Sequence, residues 1–284
     1  MSAISAAAVN ELRKRTDRPL MECKKALTEA NGDINQAVEL LRSWDAKAGT
    51  KREANETAEG RVAIAVVGAN AAIVELRCES APTAKNEHFA KLADDIAKFI
   101  AENNPADVPA LLAAKHGSGT IQDRINEAVG LIREKMVVHR FFRTTGGTYG
   151  QYVHHDGTVG ALIHASGTPA AGADEVLRDA CAHASAMNPT YVTTASIPTE
   201  TVEKEKAFAM QQIKDDPKNA SKPANIIEKI AEGKLKTWMA ESVFTEQPMV
   251  NATKYPNTTI AAALAKVGLK VEKMVRYKVG AIGA

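Results

Sequence analysis

Two imidazoles and a carboxylate within three positions, His154-His155-Asp156, are the polar cluster best suited to proton or metal chemistry, since such groups can share a cation or pass a proton. The same residues, followed by Gly157, also read as a hairpin turn, where a solvated structural role is the plainer assignment. Glu203-Lys204-Glu205-Lys206 has the makings of a contact stripe, yet charge on a helix flank usually forms i, i+4 pairs in solvent. Gln247-Pro248-Met249 places a proline where it can simply end a helix. Cys23, Cys78 and Cys181 are odd in number and more than fifty positions apart, so they form neither a CxxC metal pair nor a closed disulfide framework, and they point to a reducing compartment. No GxxxxGK[ST], GxGxxG after a strand, HExxH or GxSxG occurs, and these absences weaken every common enzyme reading.

The chain that must position these groups has 284 residues, enough for two or three folded units, and 45% hydrophobic residues, enough to give each a core. Thirty-six Lys plus Arg against 34 Asp plus Glu leaves a formal charge of +2, too little for a protein whose affinity comes from neutralising many phosphates, so no nucleic-acid partner is expected. The longest apolar stretch, Val62 to Val74, is broken by Gly68 and Asn70 and falls short of the roughly 20 residues of a membrane span. Met1 to Val9 lacks a basic segment ahead of an apolar run and does not read as a signal peptide. The expectation is a cytoplasmic protein with no membrane partner.

Three short helices account for residues 1–45. Ile4, Ala8 and Leu12 share one face; Cys23, Ala26, Leu27 and Ala30 share another; Ile34, Ala37, Val38 and Leu41 repeat the spacing. Pro19 breaks the first from the second, Asn31-Gly32 supplies left-handed residues for a stop, and Asp33 with Gln36 has capping-box spacing. The polar stretch around 46–60 reads as a linker with some helical character. Arg61 to Val67 and Ala71 to Cys78 then form a hairpin around Gly68-Ala69-Asn70, followed by a helix from about Ala84 to Asn103 closed by Pro105, and a second helix through Ile121, Ile125, Val129 and Ile132. The order recurs with strands Tyr149 to His154 and Val159 to Ala165, then a helix through Val176, Leu177, Ala180, Ala184 and Met187. Thr199 to Lys214 and Ile226 to Val243 read as helices around a polar bridge, Asp215 to Pro223; Thr258 to Gly268 reads as helix and Lys270 to Val279 as strand. The fold class expected is α+β, with a core subdomain over 61–139 and a second over 140–284 that includes a helical hairpin at about 199–243.

Several of these stretches resemble bacterial elongation factor Ts, the exchange factor of the GTPase elongation factor Tu. Met21-Glu22-Cys23-Lys24-Lys25-Ala26-Leu27 with Glu29-Ala30-Asn31-Gly32-Asp33 is similar to that family's N-terminal signature. Ala84-Lys85-Asn86-Glu87 with Phe89, Ile132 with Glu134 ahead of His139-Arg140, Tyr152 with His154 and Gly160, Ala186-Met187-Asn188-Pro189, Glu228-Lys229-Ile230 with Glu232-Gly233-Lys234, and Glu246-Gln247-Pro248 resemble later family segments in order. The resemblance implies a ubiquitin-associated-like N-terminal domain, two α+β subdomains and a projecting helical hairpin. It also implies a protein that is not an enzyme, needs no cofactor or metal, has no nucleotide site of its own, and acts on elongation factor Tu by favouring its empty form. Lowering nucleotide affinity and being displaced by nucleotide are then one coupling seen from two sides. A homodimer through the core is compatible with it.

The residues that the resemblance places on the partner's G domain are Arg13, Pro19, Leu20, Met21 and Lys24, and an apolar pair such as Leu20-Met21 would be wasteful in a turn unless it docks or caps the small core. The family's hallmark Thr-Asp-Phe-Val, whose Phe disturbs the partner's magnesium, is replaced here by Ser80-Ala81-Pro82-Thr83. Leaving such a Phe pocket unfilled would cost on the order of 1.5 to 3 kcal/mol. His154 matches the His that packs near the partner's phosphate-binding loop. Three functions follow: a working exchange factor with Pro82 as a smaller wedge, which is the favoured one; a paralogue that binds elongation factor Tu without speeding release; and an interaction module whose N-terminal bundle holds some other helix.

Overall fold

A computed structural model describes residues 4–216 and 223–281. The fold is α+β. Within the described residues the chain divides into two compact units: one takes the chain up to Thr144, His155–Val159 and the residues from Tyr277 onward, and the other takes Thr145–His154 and Gly160–Arg276.

The first unit opens with α1 (Ala6–Thr16), α2 (Leu20–Glu29) and α3 (Ile34–Lys51). Ile4 stays outside α1, because Ser5 accepts from Ala8 N and starts the helix there, but its side chain still packs on the bundle core. That core is small: Val9, Leu12, Cys23, Ala26, Leu27, Ala30, Ala37 and Leu41. Asn31 and Gly32 both take positive φ, as a left-handed stop requires, and Asp33 accepts from the amides of Asn35 and Gln36. The helix that follows runs through the first part of the polar stretch, to Lys51.

Next come β1 (Glu59–Val67) and β2 (Asn70–Cys78), antiparallel with Val67 opposite Asn70, so the turn is Gly68-Ala69 with Gly68 at φ 57°. The helix expected from about Ala84 is two pieces, α4 (Ala81–Ala84) and α5 (Glu87–Asn103), because Asn86 turns outward and caps α5 by accepting from His88 N and Phe89 N. α6 (Val108–Ala113), a two-residue hairpin of β3 (Lys115–His116) and β4 (Gly119–Thr120), and α7 (Ile121–Ile132) follow, the last begun by a reciprocal Thr120–Asp123 capping box. Then β5 (Met136–Thr145) joins the sheet beside β2, giving the order β1-β2-β5. Phe89, Leu92, Ile96 and Ile100 of α5 close over Val74 and Leu76. Each such fully buried side chain contributes about 1.5–3 kcal/mol.

The second unit repeats the plan. β6 (Thr148–Val153) and β7 (Val159–Gly167) pair antiparallel, α8 (Ala173–Met187) lies on them, and the last strand completes the order β6-β7-β8. α8 can approach because Gly150 has no side chain: a Cβ there would stand 2.8 Å from that of Leu177. α9 (Thr199–Asp215) and α10 (Ala224–Ser242) pack through Ala209, Ile213 and Ala231. Most of the expected polar bridge between them lies outside the described residues. α11 (Ile260–Lys266) and β8 (Leu269–Lys278, its last two residues in the first unit) end the chain, with Ile260, Ala263, Leu264, Leu269 and Val271 in the same core as Leu177 and Ala180. Both sheets therefore place their second strand in the middle and draw their third from after the intervening helices.

Among the described residues no helix is long and apolar enough to cross a membrane, and no group of three or more His, Cys, Asp or Glu side chains could hold a metal ion.

Candidate functional site

Arg13, Pro19, Leu20, Met21 and Lys24 are all exposed. Leu20 and Met21, the first two residues of α2, are 48% and 69% exposed, so neither caps the bundle core; Cys23, Ala26 and Leu27 on the opposite face do that. An apolar pair held in solvent at a helix start is a surface that gains by being covered. The segment below it is firmly anchored. Arg18 is buried and pairs with buried Asp45 of α3 and, at 3.3 Å, with Glu22. Gly130 of α7 lies against that pair, with no space for a Cβ between itself and the two charged groups. Burial, opposed by the Arg18 hydrogen bond, pushes the Asp45 carboxyl above its ordinary range.

From α2 a chain of polar contacts leads to the second candidate set. Glu22 also pairs with Arg133, the left-handed residue (φ 70°) that ends α7. The next residue, Glu134, accepts from Ser80 N at 3.0 Å and from Ser80 Oγ at 2.6 Å. Ser80 caps α4, leaving Ala81 and Pro82 exposed on its first turn while Thr83 is buried beneath. The Cys78 thiol, pushed up to about 12 by burial, donates to Ser80 O. Glu79 reaches the other way, accepting from Lys135 N at 2.6 Å and from Asn55 Nδ2 at 2.9 Å, and these bonds hold its carboxyl below the usual range. The structure thus ties two of the candidate sets together, something the sequence did not give.

His154 belongs to the other unit, at the end of β6, half-buried, with Nδ1 3.1 Å from Tyr152 Oη. Of its neighbours in the His-His-Asp cluster, His155 is exposed and Asp156 builds the turn, its Oδ1 accepting from Thr158 N and Oγ1 at 2.9 Å each. The Glu203–Lys206 stripe is likewise a solvated face: Lys204 pairs with Glu200 one turn away, and Lys206 lies 4.0 Å from Glu228 of α10.

Two polar groups with structural roles were not singled out as such from sequence. Glu75, fully buried in β2, accepts from Arg77 and Arg140, each at 2.7 Å, and from Gly280 N at 3.2 Å, while Arg140 lies over the Tyr277 ring at 4.3 Å. Gln247, 2% exposed, accepts from His183 and donates to Glu241 O at 2.6 Å. The motif Glu246-Gln247-Pro248 flagged the second of these, but not what it touches. A crevice of about 730 Å³ opens beside the bundle between Arg15, Arg42, Lys91 and Arg124 on one hand and Asp17, Glu39, Asp95 and Glu127 on the other. Its mixed charge suits no one sign of ligand, and none of the candidate residues line it.

The family model described as "Elongation factor TS" matches residues 83–281. Over 282 residues the chain is 36% identical to elongation factor Ts of Thioalkalivibrio sulfidiphilus, covering 98% of this chain and 92% of the relative. It is 35% identical to that of Lactiplantibacillus plantarum (99% and 93%) and 37% identical to that of Ralstonia pickettii (99% and 91%). A model spanning most of the chain, together with relatives that align along nearly all of it, shows that this protein belongs to the elongation factor Ts family, the translation elongation factors of that name.

Proposed function

We propose that the chain binds elongation factor Tu·GDP, promotes release of GDP and stabilises the nucleotide-free GTPase until GTP rebinds, without breaking a covalent bond itself. The observation that carries the reading is the exposed Leu20-Met21 pair on an anchored helix start. Arg13, Pro19 and Lys24, exposed on the same bundle, would surround it with polar and charged contacts. Ser80-Ala81-Pro82-Thr83 would approach the partner's magnesium region, and His154 its phosphate-binding loop. His154 can act there by sterics and hydrogen bonding, with Tyr152 orienting its ring.

The test is release of a fluorescent GDP from elongation factor Tu of the same organism at fixed magnesium. Acceleration that grows with the concentration of this chain supports exchange, and His154→Ala exchanging at the parental rate would remove His154 from the site. A second reading, a binder that does not speed release, is favoured by Ala81-Pro82, which offers far less apolar area than the family's Asp-Phe. Complex formation with no acceleration would select it. No complex at all would leave an interaction module with some other partner.

A further inference from the structure

The turn that carries Ala81 and Pro82 is held more tightly than its position after a strand requires. Residues 79–80 leave β2 and residues 134–135 enter its sheet neighbour β5, and at that point each segment supplies a carboxylate to the other's backbone: Glu134 to Ser80 N, Glu79 to Lys135 N. Every polar atom of Ser80 is engaged. Its N–H and O–H go to Glu134, and its carbonyl accepts from Ala84 N at 3.1 Å and from the Cys78 thiol at 3.4 Å. Lys135 Nζ extends the lock by donating to Asn55 O at 2.8 Å, the residue whose side chain also binds Glu79. Bonds to a carboxylate are about twice as strong as neutral ones, and two on one residue fix both its position and its orientation.

Resting on the functional reading above, we propose that Glu134, seconded by Glu79, is a positioning residue: it holds Ser80–Thr83 in one form, so that Ala81 and Pro82 meet the GTPase as a stiff wedge. A wedge without a large aromatic has little area with which to offset ordering on contact, so it must arrive ordered. Pro82 supplies part of that stiffness through its fixed φ, and Glu134 supplies the anchoring of Ser80, which caps the turn. Glu22, paired with Arg133 beside Glu134, links the turn to the start of α2.

Glu134→Gln keeps the side-chain volume but removes the charge: Oε1 can still accept from Ser80 N while Nε2 can only donate to Ser80 Oγ, so two charge-assisted bonds become neutral ones. With fluorescent GDP on elongation factor Tu, it is expected to lower the maximal stimulated release rate about tenfold. The concentration giving half-maximal stimulation, set by α2, should shift by less than about twofold. The isolated variant should exchange the Ser80 amide proton faster than the parent while its thermal midpoint stays close. Glu79→Gln should give a smaller loss of the same sign and serves if E134Q does not fold. E134Q with parental release and parental Ser80 protection would overturn the proposal, as would a loss of rate that merely follows a loss of thermal stability. A parental chain that fails to accelerate release would overturn the wedge along with the functional reading, and Ser80 exchange in E134Q would then separate that failure from a failure of Glu134 to hold the turn.

Discussion

The imidazole of His183 and the carboxamide of Gln247 share a buried hydrogen bond of 2.9 Å whose direction is fixed by a third group. Val250 N donates to His183 Nδ1 at 3.1 Å; a backbone N–H can only donate, so Nδ1 is bare and the proton sits on Nε2, which donates to Gln247 Oε1. Gln247 in turn bonds Glu241 O through Nε2, accepts Ile260 N on its own carbonyl, and so joins the ends of α8, α10 and α11 within the second unit.

A neutral, buried His183 makes stability depend on pH. Burial, only partly opposed by the Gln247 bond, lowers its pKa below the ordinary 6.5. The unfolded chain therefore takes up a proton first as pH falls through about 6.5, while the folded chain resists, so stability present above that pH is lost on acidification. Urea denaturation should give a lower free energy of unfolding at pH 5.5 than at 7.5, with His183 contributing at most about 1.4 kcal/mol, the gain from protonating an unfolded imidazole one unit below 6.5. His183→Gln should be less stable at pH 7.5 and show a flatter profile; an equally steep profile would assign the effect to other groups.

Arg133 pays for its place with strain. A side chain at φ 70° costs roughly 1–2 kcal/mol, whereas its half-exposed ion pair with Glu22 returns at most about 1 kcal/mol. Arg133→Gly should leave the thermal midpoint unchanged or raised, and Arg133→Ala, which keeps the strain and loses the pair, should lower it. The order of the two midpoints in a differential scan decides the matter.

Asp45→Ala leaves buried Arg18 with only the 3.3 Å contact to Glu22 and should destabilise the chain by about 3 kcal/mol in chemical denaturation. Arg18→Met with Asp45→Leu removes both charges and should recover most of the loss, because the pair's attraction mainly offsets its own desolvation. If the double variant is as unstable as the single one, the ion pair itself carries the packing of the bundle on α7.

Leu20→Ser with Met21→Ser changes side chains that lie in solvent, so unfolding should move by no more than about 0.5 kcal/mol. On the proposed docking surface the same change should weaken the complex with elongation factor Tu by about 10- to 100-fold in calorimetric titration. Lys24→Glu should weaken it less and more steeply at low salt. Parental affinity in both variants would move the docking surface elsewhere.

The sequence by itself determined the features that neighbours along the chain encode. The 3.6-residue spacing of Phe89, Leu92, Ile96 and Ile100 places them in one buried stripe of α5, and the Gly68 turn sets the register of β1 and β2. The ordered motifs from Met21 to Pro248 identified the family. β5 escaped the reading: Met136–Thr145 is β-branched and aromatic but interrupted by His139, Arg140 and Arg143, with burial that does not alternate cleanly, and its place beside β2 is a non-local pairing. Glu75 could not be read as buried, since a carboxylate in a strand enters the core only if cations reach it, and Arg140 comes from 65 residues away. Likewise Glu134 was legible as part of a motif but its hold on Ser80, 54 residues earlier, was not. Local periodicity is set by sterics within a few residues; the satisfaction of a buried charge or amide is set by what the topology brings opposite it, and only the tertiary structure decides that.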